Sequence, residues 1–190
     1  MSYHLRLMKR WLVSLFVAAL GVGEMCAQKG YGPWHIGMTK DQVTAVSNFG
    51  PYVSVPSTGG VETFNARWNG KKTNISFVFA DNRLIEIQIW AYEGKNIEDA
   101  SEAWLAVRAY LRSNFGEVET PVDSKLATAS PNEAKQYFLA RLGGPPLQEP
   151  IELQMAPLHM PDGLSVFCSF FRHPQHGYYV FLYFNEPNRT

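Results

Sequence analysis

The strongest constraint in this sequence is a pair of tight-turn dipeptides set between alternating runs. Asn69-Gly70 separates Glu62–Trp68 from Thr73–Ala80, and Asp81-Asn82 leads on to Leu84–Tyr92. A two-residue hairpin turn needs positive φ at its central positions, which Asn, Asp and Gly reach at least cost. Alternation on either side gives each strand one apolar and one polar face. The pattern predicts an antiparallel meander, with Phe64, Ala66 and Trp68 on the same face as Ile75, Phe77, Phe79, Ile85, Ile87 and Ile89. Tyr52–Val55 is expected to add an edge strand. A sheet with one such apolar face needs helices to cover it.

Helices are written before and after this meander. Thr39 is an N-cap residue, Gln42 completes a capping box, and Met38 with Val43 can form a hydrophobic staple. Val43, Val46 and Phe49 share a helical face and Gly50 offers a left-handed stop, which predicts a helix over 40–49. Asn96 caps a longer helix, with Glu98 and Asp99 in its first turn, a face of Ala100, Trp104, Val107, Leu111 and Phe115, and Gly116 as its stop. Further strands are expected at Lys135–Leu142, Ile151–Ala156, Leu164–Phe171 and Tyr178–Phe184. The breaks between them are Gly143-Gly144-Pro145-Pro146, Asp162-Gly163 and His173-Pro174-Gln175-His176-Gly177.

The halves also echo each other. Ser47-Asn48-Phe49-Gly50 recurs as Ser113-Asn114-Phe115-Gly116, and Phe64-Asn65-Ala66-Arg67 as Phe138-Leu139-Ala140-Arg141. The expected fold class is α+β: two tandem units over 28–94 and 95–190, separate or joined as one continuous domain, each with one or two helices packed on a three- to four-stranded antiparallel sheet.

Residues 1–27 read as an export leader. Arg6, Lys9 and Arg10 precede the apolar run Trp11–Gly23, which is too short to span a bilayer comfortably. Cleavage after Ala27 and cleavage after Gly23 both fit. A periplasmic or secreted protein is expected, with membrane attachment only if Cys26 is lipidated; Gly23-Glu24-Met25 lacks the small apolar pattern for that. The charge balances, 17 Lys+Arg against 17 Asp+Glu, and removal of the leader leaves 17−3=14 against 17−1=16. No basic field speaks for nucleic acid. Cys168 is then the remaining cysteine, set mid-strand among phenylalanines, where a thiol is buried and inert.

The stretch Ile36-Gly37-Met38-Thr39-Lys40-Asp41-Gln42-Val43 resembles the Gly-Met-Thr-x-x-x-Val helix opening of the β-lactamase-inhibitor-protein-like and SmpA/OmlA-like superfamily. The resemblance implies a small bacterial envelope or secreted protein with helices on one face of an antiparallel sheet. Its inhibitor branch is a tandem duplication and its assembly-lipoprotein branch a single unit; the order helix, strands, helix, strands is more like the former. The second unit departs, with Lys95-Asn96-Ile97 in place of Gly-Met-Thr, and the inhibitor branch's paired cysteines are missing.

No nucleophile elbow, phosphate loop, His-Glu-x-x-His run or acidic calcium loop occurs. His173 and His176 flank a proline in a turn, without carboxylate or thiol support. Glu98, Asp99 and Glu102 answer the helix dipole, Lys71-Lys72 sits on a hairpin tip, and Glu152 with Gln154 belongs to a solvated strand face. No catalytic residue, metal or cofactor is therefore expected. The informative feature is a surplus of aromatic residues opposite the core. If Val180, Leu182 and Phe184 face the helices, Tyr179, Phe181 and Tyr183 face away; Phe167 and Phe171 join them if Cys168 is core. Arg67, Glu86, Gln88, Trp90 and Tyr92 from the first unit, and Tyr137 and Arg141 from the second, are expected on the same outer face. Tyr, Trp, Phe and Arg together have the composition of an interface hot spot. The expected function is non-catalytic binding of another protein, with inhibition of an envelope or secreted enzyme implied by the resemblance. An envelope-assembly scaffold and an aromatic-lined small-ligand or lipid carrier are the alternatives, as is a stripe simply buried twice.

Overall fold

A computed structural model describes residues 29–120, 129–142 and 151–187. The expected leader with its cleavage positions, Cys26, and the Gly143-Gly144-Pro145-Pro146 break lie outside them. The described residues open with a two-stranded ribbon, β1 (Gly30–Tyr31) and β2 (Trp34–His35), followed by α1 (Lys40–Thr44) and a 3-10 turn at Ser47–Phe49. Strands β3 (Tyr52–Val55), β4 (Gly60–Trp68), β5 (Lys71–Ala80) and β6 (Arg83–Gly94) form the first meander. After α2 (Ile97–Phe115) come β7 (Val118–Glu119), α3 (Pro131–Leu142), β8 (Ile151–Pro157), β9 (Ser165–His173) and β10 (Gly177–Asn185).

The fold is α+β. The two meanders join edge to edge into one 8-stranded antiparallel sheet of order β3-β4-β5-β6-β10-β9-β8-β7. The last strand of each half pairs with the other, so the halves run outward from a shared centre, and each meander is preceded by a helix. The turn chemistry is as the sequence predicts: Asn69 and Gly70 have φ of 46° and 77°, Asp81 and Asn82 of 49° and 58°.

All described helices lie on one face. Ile75, Ile87, Ile89, Val180, Leu182, Phe184, Val166, Cys168 and Phe170 point into it and are buried. Ala100, Trp104, Val107 and Leu111 of α2 cover them, with Trp104 edge-on to Phe170 at 6.2 Å. Trp34 packs on Phe77 at 5.0 Å over the first half. The Thr39–Gln42 capping box forms as expected. The residues before it do more than turn: Gly37 N–H donates to the Leu84 carbonyl at 2.8 Å and Leu84 N–H to the Met38 carbonyl at 2.7 Å. The helix opening is thus tied to the start of β6. Asn96 caps α2 through Glu98 N–H, and Gly116 (φ 86°) ends it.

Several expectations are corrected. Residues 135–142 are helical, within α3, not a strand. Ser130 and Glu133 close a capping box, Pro131 takes the first helical position, and Ala134, Phe138 and Leu142 fall on one buried helical face. The Phe64-Asn65-Ala66-Arg67 echo therefore pairs a strand with a helix. α1 stops at Thr44 rather than 49, and Gly50 is extended (φ −67°, ψ 168°) instead of left-handed. Phe64 is 50% exposed, because a bulge between Thr63 and Ala66 turns Thr63 inward in its place. The Thr63 hydroxyl satisfies itself by donating to the Phe49 carbonyl. A second bulge, at Ile85 opposite Val78/Phe79, puts Leu84 in the core instead of Ile85.

Candidate partner-binding face

The centre of the sheet decides the site. Because Val180, Leu182 and Phe184 are buried at 0% exposure, strand pleating sends Tyr179, Phe181 and Tyr183 to the opposite face. Register then fixes their neighbours. Tyr183 lies between Gln88 and Phe167, Phe181 between Trp90 and Ser169, and Tyr179 between Glu93 and Phe171. The rings interlock: Phe167 stacks on Tyr183 at 4.7 Å, Tyr179 on Phe181 at 5.8 Å, and Trp90 meets Phe181 edge-on at 5.1 Å. Offset and edge-on contacts of this kind add about 0.5–1.5 kcal/mol per pair beyond burial. Each ring is half-buried by its neighbours, and no described helix lies over them.

Polar side chains frame the ladder. Trp90 donates its indole N–H to Ser76 Oγ at 3.3 Å, and Ser76 donates to Glu62 Oε1 at 2.9 Å. Gln88 Nε2 donates to the Tyr183 hydroxyl at 3.0 Å, and Ser169 Oγ to Glu152 Oε1 at 2.8 Å. Burial, then the negative charge of Glu86, pushes the Tyr183 phenol up to about 12, against a smaller opposing effect of the Gln88 hydrogen bond. Burial also raises the Glu86 carboxyl. The sign follows directly: a carboxyl whose folded pKa is raised lowers stability as pH climbs from its unfolded value, about 4.3, through its folded one. Glu86→Gln is expected to raise the Tm at pH 7, with the gain vanishing near pH 4; thermal unfolding at both pH values measures it. A gain that persists unchanged at pH 4 would exclude this origin.

Eight of the expected residues share this face: Glu86, Gln88, Trp90, Phe167, Phe171, Tyr179, Phe181 and Tyr183. Tyr92 does not. A bulge at Ala91, opposite Val180/Phe181, shifts the alternation by one residue and sets Tyr92 beside the buried Val180 on the helix side. There its hydroxyl donates to the Asn96 carbonyl at 3.0 Å and accepts from Asn96 N–H at 3.1 Å, at the cap of α2. Tyr137 and Arg141 belong to the helix α3 and not to a strand of the sheet. Arg67 faces outward but serves its own hairpin, donating to the Gly70 carbonyl at 2.9 Å. Sequence reasoning missed the framing pair Glu62–Ser76 and Ser169; alternation puts Ser76 and Ser169 outward but Glu62 on the same side as Phe64 and Ala66, and the bulge between Thr63 and Ala66 reverses that.

Cys168 is wholly buried, and burial pushes its thiol well up. His173 Nδ1 accepts the backbone N–H groups of Gln175 and His176 at 3.2 Å each, so it pins its own turn. Among the described residues no group of three or more His, Cys, Asp or Glu is placed to hold a metal, and no helix is long and apolar enough to cross a membrane. No protein-family model matches the chain, and no match is found among curated proteins or solved structures.

Proposed function

We propose that this is an exported, non-catalytic protein-binding module that grips its partner with the outer aromatic face of the sheet. The observation that carries the reading is the segregation of the two faces: every described helix covers one side, while Trp90, Phe167, Phe171, Tyr179, Phe181 and Tyr183 form a connected ladder on the other. Rings held by their neighbours lose little freedom on binding, which suits them as anchors. The resemblance of Gly37-Met38-Thr39 to the inhibitor-like superfamily agrees with this role and suggests an envelope or secreted enzyme as the partner. The aromatic carrier is less favoured, since the rings pack side by side along the strands rather than around an enclosed apolar cavity.

The test is capture from envelope and culture-fluid extracts with wild type and Trp90→Ala/Tyr183→Ala. A partner retained by wild type should be lost, by about 30-fold or more in affinity for a hot-spot cost of about 2 kcal/mol. The Tm should fall by less than for a core truncation, because these rings are only half-buried. Equal capture by both proteins, or a Tm collapse typical of core loss, would refute the interface.

A further inference from the structure

The sheet is forked. Pairing of β5 with β6 stops at Ile75↔Ile89, yet β5 begins earlier at Lys71 and β6 runs on to Gly94. Below the fork β5 stays with β4, as in Arg67↔Lys72, while β6 stays with β10, as in Tyr92↔Val180. At the branch point the Thr73 hydroxyl donates to the Trp90 carbonyl, a side chain standing in for a ladder hydrogen bond. The gap opens into a cleft of about 380 Å³, continued toward α2 by a pocket of about 110 Å³ beside Trp68 and Tyr92. That volume is at the lower end of small-ligand sites, about 300–1,000 Å³.

Its lining has two features that a solvated crevice does not need. Charge is divided by wall: Lys71 and Lys72 come from β5, Glu93 and Asp99 from β6 and α2. None of these four forms an ion pair among the described residues, so two cationic and two anionic side chains line one cleft unpaired. The second is buried polarity without a partner. Trp68 is 5% exposed, and among the described residues its indole N–H finds no acceptor; the Asn74 side-chain oxygen is likewise buried and finds no donor among them. Both residues line the cleft, and a buried donor or acceptor left unpaired costs free energy that a new hydrogen bond would recover.

We propose that the fork binds a small zwitterion with an apolar body, of amino-acid or dipeptide size, its carboxylate toward Lys71 and Lys72 and its ammonium toward Glu93 and Asp99. A simple anion is attracted by one wall and repelled by the other, and a neutral sugar leaves both walls unanswered; the arrangement selects by difference. Trp90 and Tyr92 add aromatic surface for the apolar body. This site opens beside the aromatic face and shares Trp90 and Glu93 with it.

The test is titration of the 15N-labelled full chain with glycyl-L-phenylalanine, read at the indole N–H resonances. The resonance missing from Trp68→Phe identifies that indole; it should move and saturate below about 10 mM. N-acetylation of the peptide and amidation of its carboxylate should each weaken binding by about tenfold, and Lys71→Glu/Lys72→Glu, at exposed positions, should do the same to the free peptide. Phe167→Ala, on the far side of the ladder, should leave dipeptide affinity within about twofold. That variant separates failure of this site from failure of the partner face. Absence of a saturating shift at Trp68, equal binding of the capped peptides, or unchanged affinity in the lysine variant would overturn the proposal.

Discussion

Phe138→Ala should lower stability by about 3–5 kcal/mol, the range for truncating a buried aromatic residue. In a chain of this size that corresponds to a fall in Tm of roughly 6–20 °C. Phe138 is 1% exposed and sits between two other core rings, tilted on Trp104 at 5.6 Å and edge-on to Phe170 at 4.5 Å. It is the point where α3 is fastened to α2 and to the sheet. The exposed link between the helices, Lys135 to Glu102 at 3.1 Å, is of the kind worth about 0–1 kcal/mol. Arg172 closes the far end of α3, donating to the Leu142 carbonyl at 2.7 Å with its guanidinium over the Tyr178 ring. Tyr137→Ala, one position away on a half-buried part of the same helix, should cost distinctly less. Thermal unfolding of the two variants compares them. A Phe138 effect within about 0.5 kcal/mol of wild type, the scale of surface changes, would mean that this helix does not close the core.

That comparison also marks where the sequence was legible and where it was not. The meanders, their turns, the caps at Thr39 and Asn96 and the inward set Val180, Leu182, Phe184 follow from periodicity and turn chemistry, because each is decided within a few residues. The misread elements were decided by longer-range packing or by one inserted residue. Lys135–Leu142 carries apolar residues compatible with either period; the Ser130-Pro131-Asn132-Glu133 cap was the local cue for helix. The bulges are harder. An extra residue at Ala91 leaves the alternation looking intact on paper, yet Trp90 remains on the ladder while Tyr92 crosses to cap α2. The bulge between Thr63 and Ala66 does the same to Phe64. Nothing in either stretch's composition announces the insertion; it is set by the strand alongside. The aromatic face was thus readable in its centre, where β9 and β10 run in unbroken register, and misassigned at its margins. The fork could not be read at all, since it depends on where two strands stop pairing.

Gly177→Ala should be nearly as damaging as the loss of Phe138, through the backbone rather than the core. Gly177 has φ of 102°, where a side chain is strained by about 1–3 kcal/mol. Its Cβ would also overlap the Gly94 carbonyl oxygen and lie 3.0 Å from the carbonyl carbon. Those are backbone atoms of β6, so relief requires moving strands apart, another cost of about 1–3 kcal/mol. Gly163→Ala is the control: its φ of 71° is also positive, but its nearest neighbour is the tip of Lys29 at 3.9 Å, leaving strain alone. The gap between the two Tm values therefore measures how tightly β10 is held against β6. The consequence reaches the ladder, because Tyr179 and Phe181 follow Gly177 directly on β10 and meet Trp90 across that seam. Near-ultraviolet circular dichroism should lose intensity in Gly177→Ala while keeping it in Gly163→Ala. If the two variants melt alike and keep the same aromatic spectrum, the strands are not in the close contact that holds these rings together, and the binding face loses its rigidity.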